Sequence, residues 1–188
     1  MRKKLIFAVC GVLLVLSGCS AAVQPQPLLT FRTTLLQAET CTFSAAVTAD
    51  YDDAAVQFTL DCTFSPQQGA QVCVREPESI AGIEASVQDT CAYVTFDDVQ
   101  IGLGSLADGN LAPLAVPYVL GQCWAGEYID CTGRDGTLLR ATYRMGYEQQ
   151  ELIVDTWFEP DTMTPVRAEI SHDGALAASV ELSNFLIQ

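Results

Sequence analysis

Residues 41–64 read CTFSAAVTADYDDAAVQFTLDCTF, and their period is two. Cys41, Phe43, Ala45, Val47 and Ala49 alternate with Thr42, Ser44, Ala46, Thr48 and Asp50. After Tyr51-Asp52-Asp53, a turn by composition, the alternation resumes with Val56, Phe58, Leu60, Cys62 and Phe64 against Gln57, Thr59, Asp61 and Thr63. Alternate residues of a strand point to opposite faces, so this pattern is a hairpin with one apolar and one polar face.

The same period extends outward. Ser65-Pro66-Gln67-Gln68-Gly69 is a second turn, followed by a strand with Val72 and Val74 inward that ends at Pro77. Further strands are expected at 82–87, 91–96, 99–103, 128–131, 137–145 and 151–158. The chain then closes in a hairpin. Val166, Ala168 and Ile170 lead into His172-Asp173-Gly174-Ala175, and Ala178, Val180 and Leu182 lead back; Asp-Gly is a strong two-residue turn signal. About ten short strands with regular turns predict an antiparallel sheet or barrel. Two segments break the period. Leu28–Ala38 has apolar residues at near-helical spacing. Leu106–Trp124 is mostly apolar but holds Pro113 and Pro117, so it is expected as a short helix or a loop over the sheet.

The first 18 residues carry a different message. Arg2, Lys3 and Lys4 precede an apolar run from Leu5 to Leu16, which is short of the roughly 20 residues that span a bilayer. Leu16-Ser17-Gly18-Cys19 then resembles the bacterial lipobox, whose cysteine is lipidated and becomes the first mature residue. The expected organisation is a signal peptide (1–18), a tether (19–27) containing Pro25 and Pro27, and a single domain (28–188). The expected location is the extracytoplasmic face of the cell membrane, held by lipid on Cys19.

Removing the signal sharpens the charge. Three of nine basic residues leave with it and none of the 23 acidic ones, so six stand against 23, a balance of −17 without a single lysine. Such a surface repels nucleic acid and anionic head groups, which excludes nucleic acid as a partner and leaves the lipid as the membrane attachment. Six cysteines remain besides the anchor: Cys41, Cys62, Cys73, Cys91, Cys123 and Cys131. An even number in an exported chain reads first as disulfides, with the sequential pairs 41–62 and 73–91 favoured by strand parity and 123–131 by the short loop that it would close. Buried free thiols and a zinc site are the alternatives. No CxxC occurs and His172 is the sole histidine, which weakens the zinc reading.

Catalytic constellations are missing from the sequence. It has no GxSxG, no Walker loop and no HExxH, and His172 beside a turn suits an exposed structural role. Asp52-Asp53 and Asp97-Asp98 read as solvated turns rather than calcium loops. Gly102-Leu103-Gly104 is too little for a phosphate loop. Trp124 and Trp157 read as packing, with a lipid entrance as the alternative. No enzyme activity, cofactor or metal is expected.

Several stretches recur together in one family: Val72-Cys73-Val74-Arg75-Glu76-Pro77, then Glu78-Ser79-Ile80-Ala81-Gly82, and late Asp161-Thr162-Met163-Thr164-Pro165-Val166-Arg167-Ala168-Glu169-Ile170. With the lipidated cysteine and the short helix, they resemble the LolA/LolB lipoprotein-carrier superfamily, closest to small clostridial lipoproteins of the germination type. That resemblance implies a mainly β fold: a strongly curved, half-open antiparallel sheet with one or two short helices on its concave side. It implies a lipid or lipoprotein ligand held on the concave face by Phe43, Val47, Val56, Phe58, Leu60, Val72 and Val74, with 106–120 as a lid. The same residues suit a filled core. The germination class implies the alternative of a cell-surface scaffold partnering a cell-envelope enzyme.

Overall fold

The computed structural model of the chain describes residues 26–51, 54–88, 91–96, 99–105, 111–146 and 151–188. Helix α1 (Gln26–Gln37) precedes β1 (Cys41–Tyr51), β2 (Ala54–Ser65), β3 (Gly69–Glu76), β4 (Glu84–Gln88), β5 (Cys91–Phe96) and β6 (Val99–Ser105). A 3-10 turn (Pro113–Ala115) then runs into α2 (Val116–Ala125), followed by β7 (Cys131–Asp135), β8 (Leu138–Met145), β9 (Leu152–Phe158), β10 (Pro165–His172) and β11 (Ala175–Ile187).

All eleven strands form one sheet in the order β6-β5-β4-β3-β2-β1-β11-β10-β9-β8-β7. It consists of two meanders, β1–β6 and β7–β11, joined where β1 pairs antiparallel with β11. The edges β6 and β7 are consecutive in sequence, so the connection between them must cross the sheet, and α2 lies on it. Helix α2 touches β2 and β3 on one side and β8 on the other. In a flat sheet β3 and β8 would stand about 29 Å apart, whereas a helix with its side chains is about 10–12 Å across. The sheet therefore wraps around α2. This is the curved, half-open sheet expected above, with two helices.

The local reasons follow the sequence. Asp173 and Gly174 both have positive φ (50° and 79°), as a two-residue hairpin turn matching strand twist requires. At the β2–β3 turn Gly69 has φ 85°, and a Cβ there would meet the Val87 carbonyl oxygen at 2.2 Å. A bulge at Asn184 (φ 54°) shifts the β1–β11 register between Thr42 and Ser44 and returns Phe185 and Ile187 to the inner face. Pro117 sits in the first turn of α2, where its missing N–H costs nothing.

One strand differs from expectation. The predicted strand at 128–131 is instead β7 at Cys131–Asp135, beginning where the prediction ended. Its two-residue turn into β8 is made by Gly136 (φ 59°) and Thr137.

Candidate binding site

The register gathers the seven predicted concave-face residues onto one side. Phe43 faces Cys62, which faces Val72; Leu60 faces Ala45 and Val74; Val47 faces Phe58 and Ala49 faces Val56. Phe43, Val47, Leu60, Val72 and Val74 are buried, while Val56 and Phe58, toward the turn of the hairpin, are half-buried.

What covers them is α2, eight of whose ten residues are buried. A Cβ on Gly121 would fall 2.3 Å from the ring of Phe64, so the helix backbone rests directly on that ring. Trp124 is 1% exposed, and its indole N–H donates to the Thr156 hydroxyl at 3.1 Å. Phe43 meets Trp124 edge-on at 5.5 Å, and Phe31 of α1 meets Phe158 at 5.2 Å. The described part of the expected lid is thus a central piece of the core; residues 106–110 lie outside the described residues. Trp124 is packing.

Trp157 is also packing, on the outer face of the sheet. The Arg167 guanidinium lies 3.9 Å over its ring, and its indole N–H donates to Asp135 Oδ2 at 2.9 Å. Arg167 reaches the same oxygen at 3.3 Å.

The cysteines correct the expected disulfides. Cys41, Cys62, Cys73, Cys123 and Cys131 are free thiols. Cys41 faces Phe64 rather than Cys62, which makes the two diagonal neighbours. Such pairs have Cα atoms about 7–8 Å apart, beyond the usual bridging range. Cys73 faces Glu84, which faces Thr95, so Cys91 is two strands away and four residues along. Cys123 is buried in α2 and Cys131 is exposed on edge strand β7. Burial pushes the Cys41 thiol up to about 12, against a hydrogen bond from the Phe64 backbone. Burial alone pushes Cys123 up to about 12. Cys62 is raised by burial, then by Asp61 and Cys41. These three stay protonated at neutral pH, the wrong form for a nucleophile or a metal ligand.

Among the described residues no three His, Cys, Asp or Glu side chains are placed to hold a metal ion. His172 ends β10 beside the hairpin turn. Cys19, Asp52-Asp53 and Asp97-Asp98 lie outside the described residues.

The hollows are elsewhere. A groove of about 530 Å³ crosses β1–β4 and is lined by Thr42, Ser44, Asp61, Thr63, Gln71, Cys73, Glu84 and Ser86, with parts of the inward residues Phe43, Cys62, Val72 and Ala85 beneath. Those polar residues belong to the outer face. Asp61 organises it: Ser44 donates to one carboxylate oxygen at 3.2 Å and Arg75 to the other at 2.6 Å. A broader hollow of about 870 Å³ adjoins it over Ala46, Thr48, Gln57 and Thr59, ringed by Arg75, Glu76, Glu78 and Glu181. A third cleft of about 480 Å³ lies between α1 and the 159–164 loop, where Pro27, Phe31, Met163 and Ile187 meet. Sequence reading missed all three. The polar parity of β1–β3 marked the groove residues, but only the pairing of β1 to β4 brings them together.

No protein-family model matches the chain, and no curated protein matches it. Solved structures with a similar backbone include a LolA superfamily protein from Nitrosomonas europaea, 13% identical, with a TM-score of 0.49 over 89% of this chain and 94% of that one. The lipoprotein LppX of Mycobacterium tuberculosis is 15% identical, with a TM-score of 0.41 over 86% and 96%. The CwlD amidase from Clostridioides difficile in complex with the GerS lipoprotein gives 13%, 0.43, 89% and 97%. These likenesses concern the course of the backbone.

Proposed function

We propose that the mature chain is a non-enzymatic lipoprotein of the bacterial envelope, held by lipid on Cys19, that binds another protein on the outside of its sheet. The occupied concave face carries this reading. With α2 seated on Phe64 through Gly121, the inner residues are spent on the core. The outer groove offers exposed hydroxyl, amide and carboxylate groups instead. A domain at −17 selects a partner with a basic patch, and the tether limits that partner to proteins near the same membrane.

Capture from an envelope extract by the lipidated protein tests this. A partner recovered reproducibly, and lost when Glu84→Arg and Gln71→Arg reverse the groove's character, is expected. Equal recovery by wild type and variant would remove the groove from the reading. The intact mass of the mature chain tests the anchor: it must begin at Cys19 with a diacylglyceryl excess.

One observation favours a lipid ligand as a second reading, in a different place from the concave face. The cleft between α1 and the 159–164 loop is lined largely by apolar side chains and is of ligand size. Lipid that copurifies in native mass spectrometry, and is lost in Thr34→Arg, would support it. A homogeneous ligand-free mass would end it.

A further inference from the structure

Helix α1 has an outer face unlike the rest of this acidic protein. From Cys19 through Ala38 there is no acidic residue, although the mature chain carries 23. Leu28, Phe31 and Leu35 point into the core. The one charge of the helix, Arg32, also turns inward, donating from Nε to the carbonyls of Ala125 and Gly126 at 3.1 and 2.6 Å. The outer side presents Leu29 and Leu36, 40% and 37% exposed, beside Thr30, Thr33 and Thr34. Each threonine hydroxyl donates back to the carbonyl four residues earlier: Thr30 to Gln26 (3.1 Å), Thr33 to Leu29 (2.8 Å) and Thr34 to Thr30 (3.1 Å). Their donor capacity is used within the helix, so this face sheds water at little cost.

We propose that this face rests on the membrane: α1 lies along the head-group layer, with Leu29 and Leu36 toward the acyl boundary. The proposal rests on the lipid at Cys19. Seven Cα–Cα steps lead from Cys19 to Gln26, a reach of at most about 25 Å, so the start of α1 stays close to the membrane surface and is the first part of the domain to meet it. An anchored body at −17 turns its uncharged side toward lipid, because any acidic side would be repelled by anionic head groups and would lose hydration against neutral ones. Asp161, at the rim of the adjoining cleft, marks the acidic limit of the contact on that side. The Asp173-Gly174 turn then points away, since β11 separates it from this end of the sheet by about 40 Å.

The test uses the lipidated full chain with Cys73→Ser and Cys131→Ser, spin-labelled at Thr33→Cys or at Asp173→Cys, in phosphatidylcholine vesicles, with the double-serine parent as the check for background labelling. A label at position 33 should collide with a water-soluble nickel relaxant at least about three-fold less often than one at 173. Equal collision rates in protein that floats with the vesicles overturn the orientation and leave the anchor standing. Protein that does not float overturns the anchor itself. Screening at 33 already present in detergent, and rising with protein concentration, would assign the face to a second copy and overturn the proposal. Leu36→Cys supplies an independent labelling position, with a cooperative melt as the check that each variant is folded.

Discussion

The two helices start from similar material and end in opposite roles. Helix α2 contains no charged residue and α1 contains one, Arg32. Yet α2 is buried on nearly all sides, whereas α1 buries only Leu28, Phe31 and Leu35 and leaves most of its surface exposed. Their surroundings make the difference. The chain must travel from one sheet edge to the other, so the sheet closes around α2, while α1 packs against α2 and, through Phe31, against Phe158 and Phe185. An apolar helix in this protein is therefore not by itself a ligand lid. Its place in the strand order decides what it does.

The largest expected effect breaks the comparison at α2. Gly121→Leu places atoms inside the Phe64 ring, which is fully buried and has no room to retreat, so the cooperative thermal transition should disappear. Phe64→Ala in the same chain should restore part of it. An unchanged melt of Gly121→Leu alone would mean that open space exists under the helix, which would return a concave ligand site to consideration.

Next comes alkaline pH, to which α2 responds and α1 does not. Burial lifts the thiol of Cys123, and that of Cys41 beneath, from 9 to about 12. Above pH 9 the unfolded chain releases protons that the folded chain keeps. Stability is intact below that pH and drains up to about pH 12, at roughly 1.4 kcal/mol per thiol per pH unit. Denaturant midpoints measured from pH 8 to 11 should fall, and Cys123→Ala should make the slope shallower.

The helix α1 sharpens the contrast within itself. Leu35→Ala, at 0% exposure, should cost about 2–5 kcal/mol, whereas Leu29→Ala should change stability by no more than about 0.5 kcal/mol. Between these lies Arg32→Met, which leaves the last carbonyls of α2 without their donor and should cost about 1.5–3 kcal/mol in urea unfolding. Equal losses for Leu29 and Leu35 would refute the division of α1 into a core side and an outer side.

Much of this was legible beforehand because strand parity is a local property. The alternation in 41–64, the Asp173-Gly174 turn and the breaks at 28–38 and 106–124 are all visible in short windows. What stayed hidden depends on register or on distant chain. Parity put Cys41 and Cys62 on one face, but only the pairing Cys41 with Phe64 makes them diagonal. Within Leu106–Trp124 the stretch Leu111–Leu120 is apolar throughout, so it shows no preferred face and gives no sign that both arms of the sheet enclose it. Arg32 looks like a solvated charge until the end of α2, more than 90 residues away, comes to meet it. The acid-free stretch around α1 was readable in the sequence as a composition bias. Its meaning required knowing which side of the helix remains open.

The β1–β11 seam has a consequence for how the molecule is assembled. Within each meander, strands pair with their sequence neighbours, while across the seam Ser44 and Asn184 touch at a separation of 140 positions. Local hairpins form quickly and distant closure is slow. The two halves are expected to take shape first, and the seam to close late, drawing α2 between them. Until that closure, the inner faces of both meanders stand open to solvent. This interval is when the chain is most exposed to proteases and to aggregation.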